Sequence, residues 1–340
     1  FFLHPQPANP DPLWSRGLGD VYKRQILYSS ISLADDYPNK PITIIEPWGA
    51  QSWGFLQAQE LAKELEKILD QRVLVQAKPG GASSLGTKFV ADSDPDGYTL
   101  LHAWIAGLVI VPLNKDDLGY NPTKAFDIIS HFTESPVVAV SRSDAPWNTL
   151  AEMVEYVRAN PDKKFAFSGG PALSIHSISG AEVFERENVP VKGIFYDDAA
   201  AAGAAMLAGD TAVAMDGFGS LRRYGDKVKA IGVFSTKRYP GFEDVLTVSE
   251  QGLDGPTVRS WSAMVAPNGM PDPVKKKISE AIDQVLSNKD FQQRIYENMQ
   301  WFVTPSSADD VQKLIASDTE QMRGAIARVK ARQNLSLIHI

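Results

Sequence analysis

The residues that could do chemistry in this chain fall in three Ser-, Gly- or Asp-bearing segments, each where an apolar run gives way to a helical pattern. The first is Glu46-Pro47-Trp48-Gly49-Ala50-Gln51-Ser52-Trp53-Gly54-Phe55. Ser52 is placed to cap a helix. The amides of Trp53, Gly54 and Phe55 would then point outward with the positive end of the helix dipole behind them, a cradle for a carboxylate. An ordinary strand-to-helix connection has the same grammar, so Trp48, Gly49, Gln51, Ser52 and Trp53 are candidates by position. The second is Ser168-Gly169-Gly170-Pro171-Ala172-Leu173-Ser174-Ile175-His176. Gly169 and Gly170 let backbone approach a ligand closely, Ser168 precedes them, and Ser174 would cap the next helix. His176, alone in a first helical turn, is more often a structural donor than a catalyst. The third is Tyr196-Asp197-Asp198, before the Ala- and Gly-rich run Ala199–Ala208. Asp198 reads as a helix cap, which leaves Asp197 as the spare acid able to accept from a ligand hydroxyl or ammonium. Asp216, after the run Thr211–Met215, is a weaker candidate of the same kind.

Other chemistry is missing. A serine hydrolase using Ser168 or Ser174 with His176 is the rival reading, but the chain has no Gly-x-Ser-x-Gly elbow and no acid placed to orient the histidine. Between residues 26 and 334 the histidines are His102, His131 and His176, with no two at metal-ligand spacing, and there is no cysteine anywhere. Zinc and thiolate chemistry are therefore not expected. There is no P-loop, and Gly217-Phe218-Gly219-Ser220-Leu221-Arg222 breaks the dinucleotide fingerprint at its third glycine, so no cofactor is expected.

The elements that would position these segments alternate. Ile42–Ile45 reads as a strand. Leu56–Leu69 reads as a helix with Leu56, Leu61, Leu65, Ile68 and Leu69 on one face. Val73–Gln76, Thr99–Ala103, Phe165–Phe167, Lys192–Tyr196, Thr211–Met215 and Ala230–Phe234 read as short strands. Pro273–Leu286, Phe291–Met299 and Ala308–Val329 read as helices. Such alternation indicates βαβ units and mainly parallel sheets. The apolar strands Val137–Val140 and Ser260–Val265, each leading into a turn, suggest two crossings between two α/β lobes. Lobe 1 is expected over 35–140 and 264–334, and lobe 2 over 141–263. A cleft would then lie at the carboxyl ends of the strands, where open sheets hold ligands. Trp104, just after Thr99–Ala103, either faces that opening or plugs the core, as tryptophans in loops more often do.

The ends stand apart. Asp20–Gln25 (DVYKRQ) and Leu335–Ile340 (LSLIHI) back-translate onto opposite strands of one short word, as a sequencing-library adapter would. Residues 1–34 are therefore read as adapter-derived sequence plus a signal-peptide remnant, Ile26–Ala34, for which a frayed apolar terminus is the alternative. Residues 335–340 are read as an adapter-derived tail. A net charge of −7 and the lack of a basic patch with interleaved aromatics argue against nucleic acid as a partner. No run reaches the ~18 apolar residues of a membrane span.

Several motifs in one order carry a resemblance. Tyr37-Pro38-Asn39-Lys40-Pro41-Ile42-Thr43-Ile44-Ile45 looks like "YPxKPIxxI", and Asp94–Leu101 like "xPDGYTLL". Lys227–Gly252 runs from a buried strand through Ser235-Thr236, Lys237-Arg238 and a Pro-Gly turn to Thr247-Val248-Ser249-Glu250-Gln251-Gly252, read as a short helix closed by glycine. Trp261–Pro267 is similar to "Wxxxx-AP". Together, over roughly residues 37–325, they resemble the substrate-binding proteins of tripartite tricarboxylate transporters, the Bug-type periplasmic receptors. The resemblance implies a two-lobed periplasmic-binding-protein-like α/β fold without catalysis. It also implies export to the periplasm, a monomer, and delivery of a small organic anion to a small and a large membrane subunit. In the family, segments like those of Ser168–His176 and Tyr196–Asp197 line the cleft. This chain departs where relatives carry Gly-Gly and then Thr-Asp. It has Gln51-Ser52-Trp53-Gly54-Phe55, aromatic bulk in place of an acid. A ligand with one acidic end and an apolar or aromatic body is the corresponding expectation.

Overall fold

The computed structural model describes residues 37–115 and 117–337, with side chains as far as Ala327. Residues 1–34 lie outside these bounds, as do 338–340 of the tail 335–340, and with them the signal-peptide reading and most of the adapter reading. Ten strands form one sheet in the order β2-β1-β3-β9-β4-β7-β5-β6, with β8 and β10 also paired to β4. The first unit is β1 (Ile42–Glu46), α1 (Trp53–Leu69), β2 (Val73–Ala77), α2 (Ser84–Ala91) and β3 (Thr99–Trp104), followed by one π-helical turn over Ala106–Ile110. β4 (Phe126–Arg142) and α3 (Leu150–Ala159) lead to the second unit. It comprises β5 (Phe165–Gly169), α4 (Ile175–Arg186), β6 (Val191–Phe195), α5 (Ala199–Ala208), β7 (Val213–Asp216), α6 (Gly219–Tyr224) and β8 (Val228–Phe234). The chain returns through β9 (Arg259–Pro267) and ends with α7 (Asp272–Leu286), α8 (Lys289–Met299), β10 (Phe302–Val303) and α9 (Ala308–Leu337).

Pairing is parallel among β2, β1 and β3 and among β7, β5 and β6, as the βαβ pattern requires. The middle is antiparallel. β4 is a 17-residue strand whose first part, Phe126–Pro136, pairs with β9, while Val137–Arg142 pairs with β8 and Val138–Val140 with β7. One strand thus runs from one half of the sheet into the other. The expected crossing segments fall inside β4 and β9. Only the end of β4 was legible beforehand, because its first half carries buried Ser130, His131, Thr133 and Ser135 where an alternating pattern would put apolar residues.

Two further expectations change. Leu56 and Ile68 are exposed, and the buried stripe of α1 is Gly54, Gln57, Ala58, Leu61, Ala62 and Leu65, because the helix begins at Trp53 and turns its small residues to the sheet. Thr247–Gly252 is a set of turns rather than a helix. Thr247 and Glu250 make the reciprocal bonds of a capping box, N to Oε2 at 2.8 Å and N to Oγ1 at 3.0 Å, and no helix follows. Arg238 Nε holds Glu250 at 3.0 Å. Gln251 accepts from the Ala151 amide and donates to the Ile231 and Leu246 carbonyls. The run most like the family therefore braces β8 against α3.

One apolar core follows a single face of the sheet through both halves, from Leu101 and Ala103 to Phe167 and Met215, and is covered by α3, α4 and α9. On the other face, α1, α7 and α8 cover the first half, and Met206, Phe218 and Tyr239 cover the second. α9 is pinned by Trp261, fully buried in β9, whose Nε1 donates to Asp318 Oδ2 at 2.6 Å. Burial pushes the Asp318 carboxyl up, opposed by that bond and by Arg259. Asp318→Ala leaves the indole N–H unpaired in the core and should lower stability by about 1–3 kcal/mol in urea unfolding, with Asp318→Asn recovering most of it. Equal midpoints for Ala and Asn would show that the bond is immaterial.

Candidate functional site

A cavity of 340 Å³ opens where loops from the carboxyl ends of β1, β3, β5, β6 and β7 converge. The sheet topology dictates this position, since parallel strands with their helices send all their βα loops to one edge. The first half contributes Trp48–Gly54, Trp104, Ile105 and Ala106. The second contributes Gly170, Pro171, Ser174–His176, Asp197–Ala200, Asp216, Gly217 and Arg223, with Ser260 and Trp301 closing the rim.

The first wall rests on a buried carboxyl. Glu46, the last residue of β1, is fully buried and receives Trp104 Nε1 at 3.1 Å and the Trp48 amide at 3.2 Å on Oε1, while Oε2 lies 2.7 Å from His102 Nδ1. His102 is thus a structural partner, and Trp104 is held with its indole N–H satisfied and its ring on the cavity. Trp301 meets it edge-on, centroids 5.4 Å apart at 87°. Gly54 is required here, because a Cβ would stand 2.7 Å from both Glu46 Oε1 and the Trp104 ring. Ser52 caps α1 through the Phe55 amide at 3.1 Å, which turns the helix start toward the opening.

The opposite wall is built from helix starts. Ser174 caps α4, accepting from the Ser177 amide at 3.2 Å, and Asp198 caps α5, accepting from the Ala201 amide at 2.8 Å. Arg223, on α6, lays its guanidinium 4.4 Å over the Trp53 ring, a contact between the two walls. A Cβ on Gly219 would lie 3.2 Å from the same ring. Asp216 ends β7. Its Oδ1 accepts from the Gly217 amide at 2.8 Å. Burial raises the Asp216 carboxyl, with His176, the Gly217 amide, Arg223 and Ser220 pulling it back, and burial lowers His176 against the pull of Asp216.

The structure brings together Trp48, Gly49, Gln51, Ser52, Trp53, Trp104, Gly170, Ser174, His176, Asp197 and Asp216. Three expected residues do not line the cavity. Ser168 is fully buried, donating to Ala202 O at 2.9 Å and accepting from Thr211 Oγ1 at 3.0 Å. Gly169 receives the Tyr196 amide at 3.0 Å and backs onto Ser177. Tyr196 is half-buried and is not among the lining residues. The serine-hydrolase alternative fails on the same geometry, because Ser168 is sealed beneath α5 and the Ser174 hydroxyl bonds to Ser177. Arg223, Trp301, Ser260 and Pro171 were missed. Arg223 carried the one available signal, a cation in the first helix after Asp216. Among the described residues no cluster of three or more His, Cys, Asp or Glu could hold a metal.

Outside the cavity, His131 in β4 sits 2.7 Å from Thr304 O, and burial lowers it from its ordinary 6.5. A histidine depressed by folding takes its proton in the unfolded chain first. It therefore costs stability as pH falls through about 6.5. His176 acts in the same direction, while the raised Asp216 and Asp318 act in the opposite one at lower pH. The loss of melting temperature between pH 8 and pH 6 should therefore be smaller in His131→Gln than in the parent chain. Parallel curves would remove His131 from that balance.

A two-lobed α/β receptor with its ligand cavity at the strand ends is the class this architecture defines. Residues 57–331 match the tripartite tricarboxylate transporter family receptor, TctC, and the chain belongs to that family. A UPF0065 protein of Bordetella pertussis is 28% identical over 287 residues, covering 84% of this chain and 88% of that protein. A UPF0065 protein from the ttuE-ttuC' intergenic region of Agrobacterium vitis is 30% identical over 257 residues, 75% of this chain and 73% of its own. The periplasmic binding protein BugD superposes with a TM-score of 0.77 at 27% identity, covering 86% of this chain and 98% of that one. MatC of Rhodopseudomonas palustris with bound malate gives 0.74 at 23% identity over 85% of this chain and 100% of that one. R. palustris Rpa4515 with adipate gives 0.79 at 18% identity over 85% and 97%. The protein is a solute-binding receptor, not an enzyme.

Proposed function

We propose that this receptor works outside the cytoplasm, in the periplasm. There it captures a small organic anion as a monomer and delivers it to the membrane subunits of a tripartite tricarboxylate-type transporter. The observation that carries the reading is the convergence of the capped starts of α1, α4 and α5 on one cavity with Arg223, the single Lys or Arg that lines it among the described residues. Helix-start amides and a guanidinium favour a carboxylate, and MatC and Rpa4515 carry malate and adipate. Trp48, Trp53, Trp104 and Trp301 favour an apolar or aromatic body behind the acid group. The eleven lining candidates named above are the proposed ligand contacts. Lobe 1 (35–140 and 264–334) and lobe 2 (141–263) close on the ligand about the crossings near Val140 in β4 and Val265 in β9.

A thermal-shift panel of mono- and dicarboxylates, aromatic acids and amino acids, followed by calorimetry, tests the reading, since binding raises stability by mass action. At least one acid should bind, and small-angle scattering at saturation should show a smaller radius of gyration. A panel with no binder would sink the anion assignment. A bound acid with an unchanged scattering profile would sink closure alone.

A further inference from the structure

The cavity holds two opposite charges that are not paired with each other. Asp216 is 5% exposed, and its Oδ2 has no hydrogen-bond partner. Oδ1 is occupied by the Gly217 amide. Arg223 lines the same cavity yet makes no ion pair among the described residues, and its guanidinium lies instead over Trp53. Had the pair been structural, the two groups would be expected to meet, because a buried carboxyl oxygen without a donor costs free energy that a salt bridge would offset. Native proteins leave few buried polar atoms unpartnered, and such exceptions cluster at functional positions. The other groups around Asp216 do not fill the role. Ser220 Oγ donates to Gly217 O at 2.6 Å, and burial holds His176 toward its neutral form.

The geometry points to a ligand with two unlike polar groups, a carboxylate for Arg223 and a hydrogen-bond donor, ammonium or hydroxyl, for Asp216 Oδ2. Asp216 is then a specificity-determining residue of the receptor, and the inference rests on the carboxylate-receptor reading above. The rings of Trp53, Trp104 and Trp301 offer a polar substituent no acceptor, and Asp197, the spare acid on the cavity, is exposed to water where Asp216 is not. A donor placed at Asp216 is therefore satisfied, while a donorless acid leaves Oδ2 desolvated and bare. A site built around such a bond discriminates strongly against the analogue that lacks it.

Two matched series isolate the donor. Succinate, malate and aspartate differ only in hydrogen, hydroxyl or ammonium at one carbon, and so do 3-phenylpropionate, 3-phenyllactate and phenylalanine. Calorimetry on the full chain should show, within at least one series, the hydroxy or amino acid binding about 10- to 100-fold more tightly than the donorless acid. Asp216→Ala should abolish that preference. Asp216→Asn keeps an oxygen for the Gly217 amide and the shape of the side chain, so it should fold. It should erase a preference for ammonium while keeping one for hydroxyl, which separates the two sources of the donor. Acids that bind without donor preference, or a preference untouched by both substitutions, overturn the Asp216 assignment and leave the receptor reading standing. Failure of every acid in both series to bind overturns the Asp216 assignment, and the anion reading falls with it if the wider panel also yields no binder.

Discussion

Arg223→Met should weaken the binding of any captured carboxylate by roughly 10- to 100-fold, the range of a charge-assisted hydrogen bond at ~1.4 kcal/mol per decade. Arg223 is the single Lys or Arg on the cavity among the described residues, and its guanidinium is already partly desolvated against Trp53. Coulombic attraction to a bound carboxylate is therefore less diluted by water than at an open surface. Methionine keeps an unbranched apolar stem that can still pack near the indole ring, so the loss reports mainly the guanidinium and its charge rather than a collapsed wall. Calorimetry at two salt concentrations checks it. The parent chain should lose affinity as salt rises, and the variant should lose less. Equal affinity in both chains would assign the carboxylate to the amides at the starts of α1, α4 and α5 alone.

Trp53→Ala should cost an aromatic acid such as 3-phenylpropionate about tenfold or more, at ~1 kcal/mol for a stacked ring beyond the area it buries. Succinate, with no ring to stack, should lose only the share transmitted through Arg223, which would be left without the surface it lies on. The ring also touches α6 near Gly219, so the substitution loosens a contact between the two walls. The ratio of the two affinities is the reading to follow. If succinate and 3-phenylpropionate weaken equally, Trp53 serves only as a platform for Arg223 and the aromatic-body assignment fails.

The features legible in the sequence were those decided within a few residues. Ser52, Ser174 and Asp198 announce helix starts because a cap bonds an amide three positions on, and the structure has all three bonds. The alternation of short apolar runs with helical periods predicts the βα loops at one sheet edge, and hence a cavity there. The motif order predicts the family to which the chain belongs. Some features that look local mislead. Thr247 and Glu250 make the bonds of a capping box without a helix, because the segment is held by Arg238 and by β8 instead. Leu56 and Ile68 lie outward because the neighbouring sheet admits the smaller Gly54, Ala58 and Ala62.

What only the tertiary structure decides is which distant residues meet. Glu46 and Trp104 lie 58 positions apart and are joined because β1 and β3 are sheet neighbours. Trp301 reaches the cavity from the end of the chain because α7 and α8 cover the first half of the sheet. Arg223 stacks on Trp53 only because β4 carries the chain from one half of the sheet to the other. Asp216 and Ser168 illustrate the limit best. Both are small polar residues on parallel strands, yet one ends at the cavity and the other is sealed under α5. The register of β5 against β7 and the seating of an alanine helix separate them, and no short-range pattern encodes either.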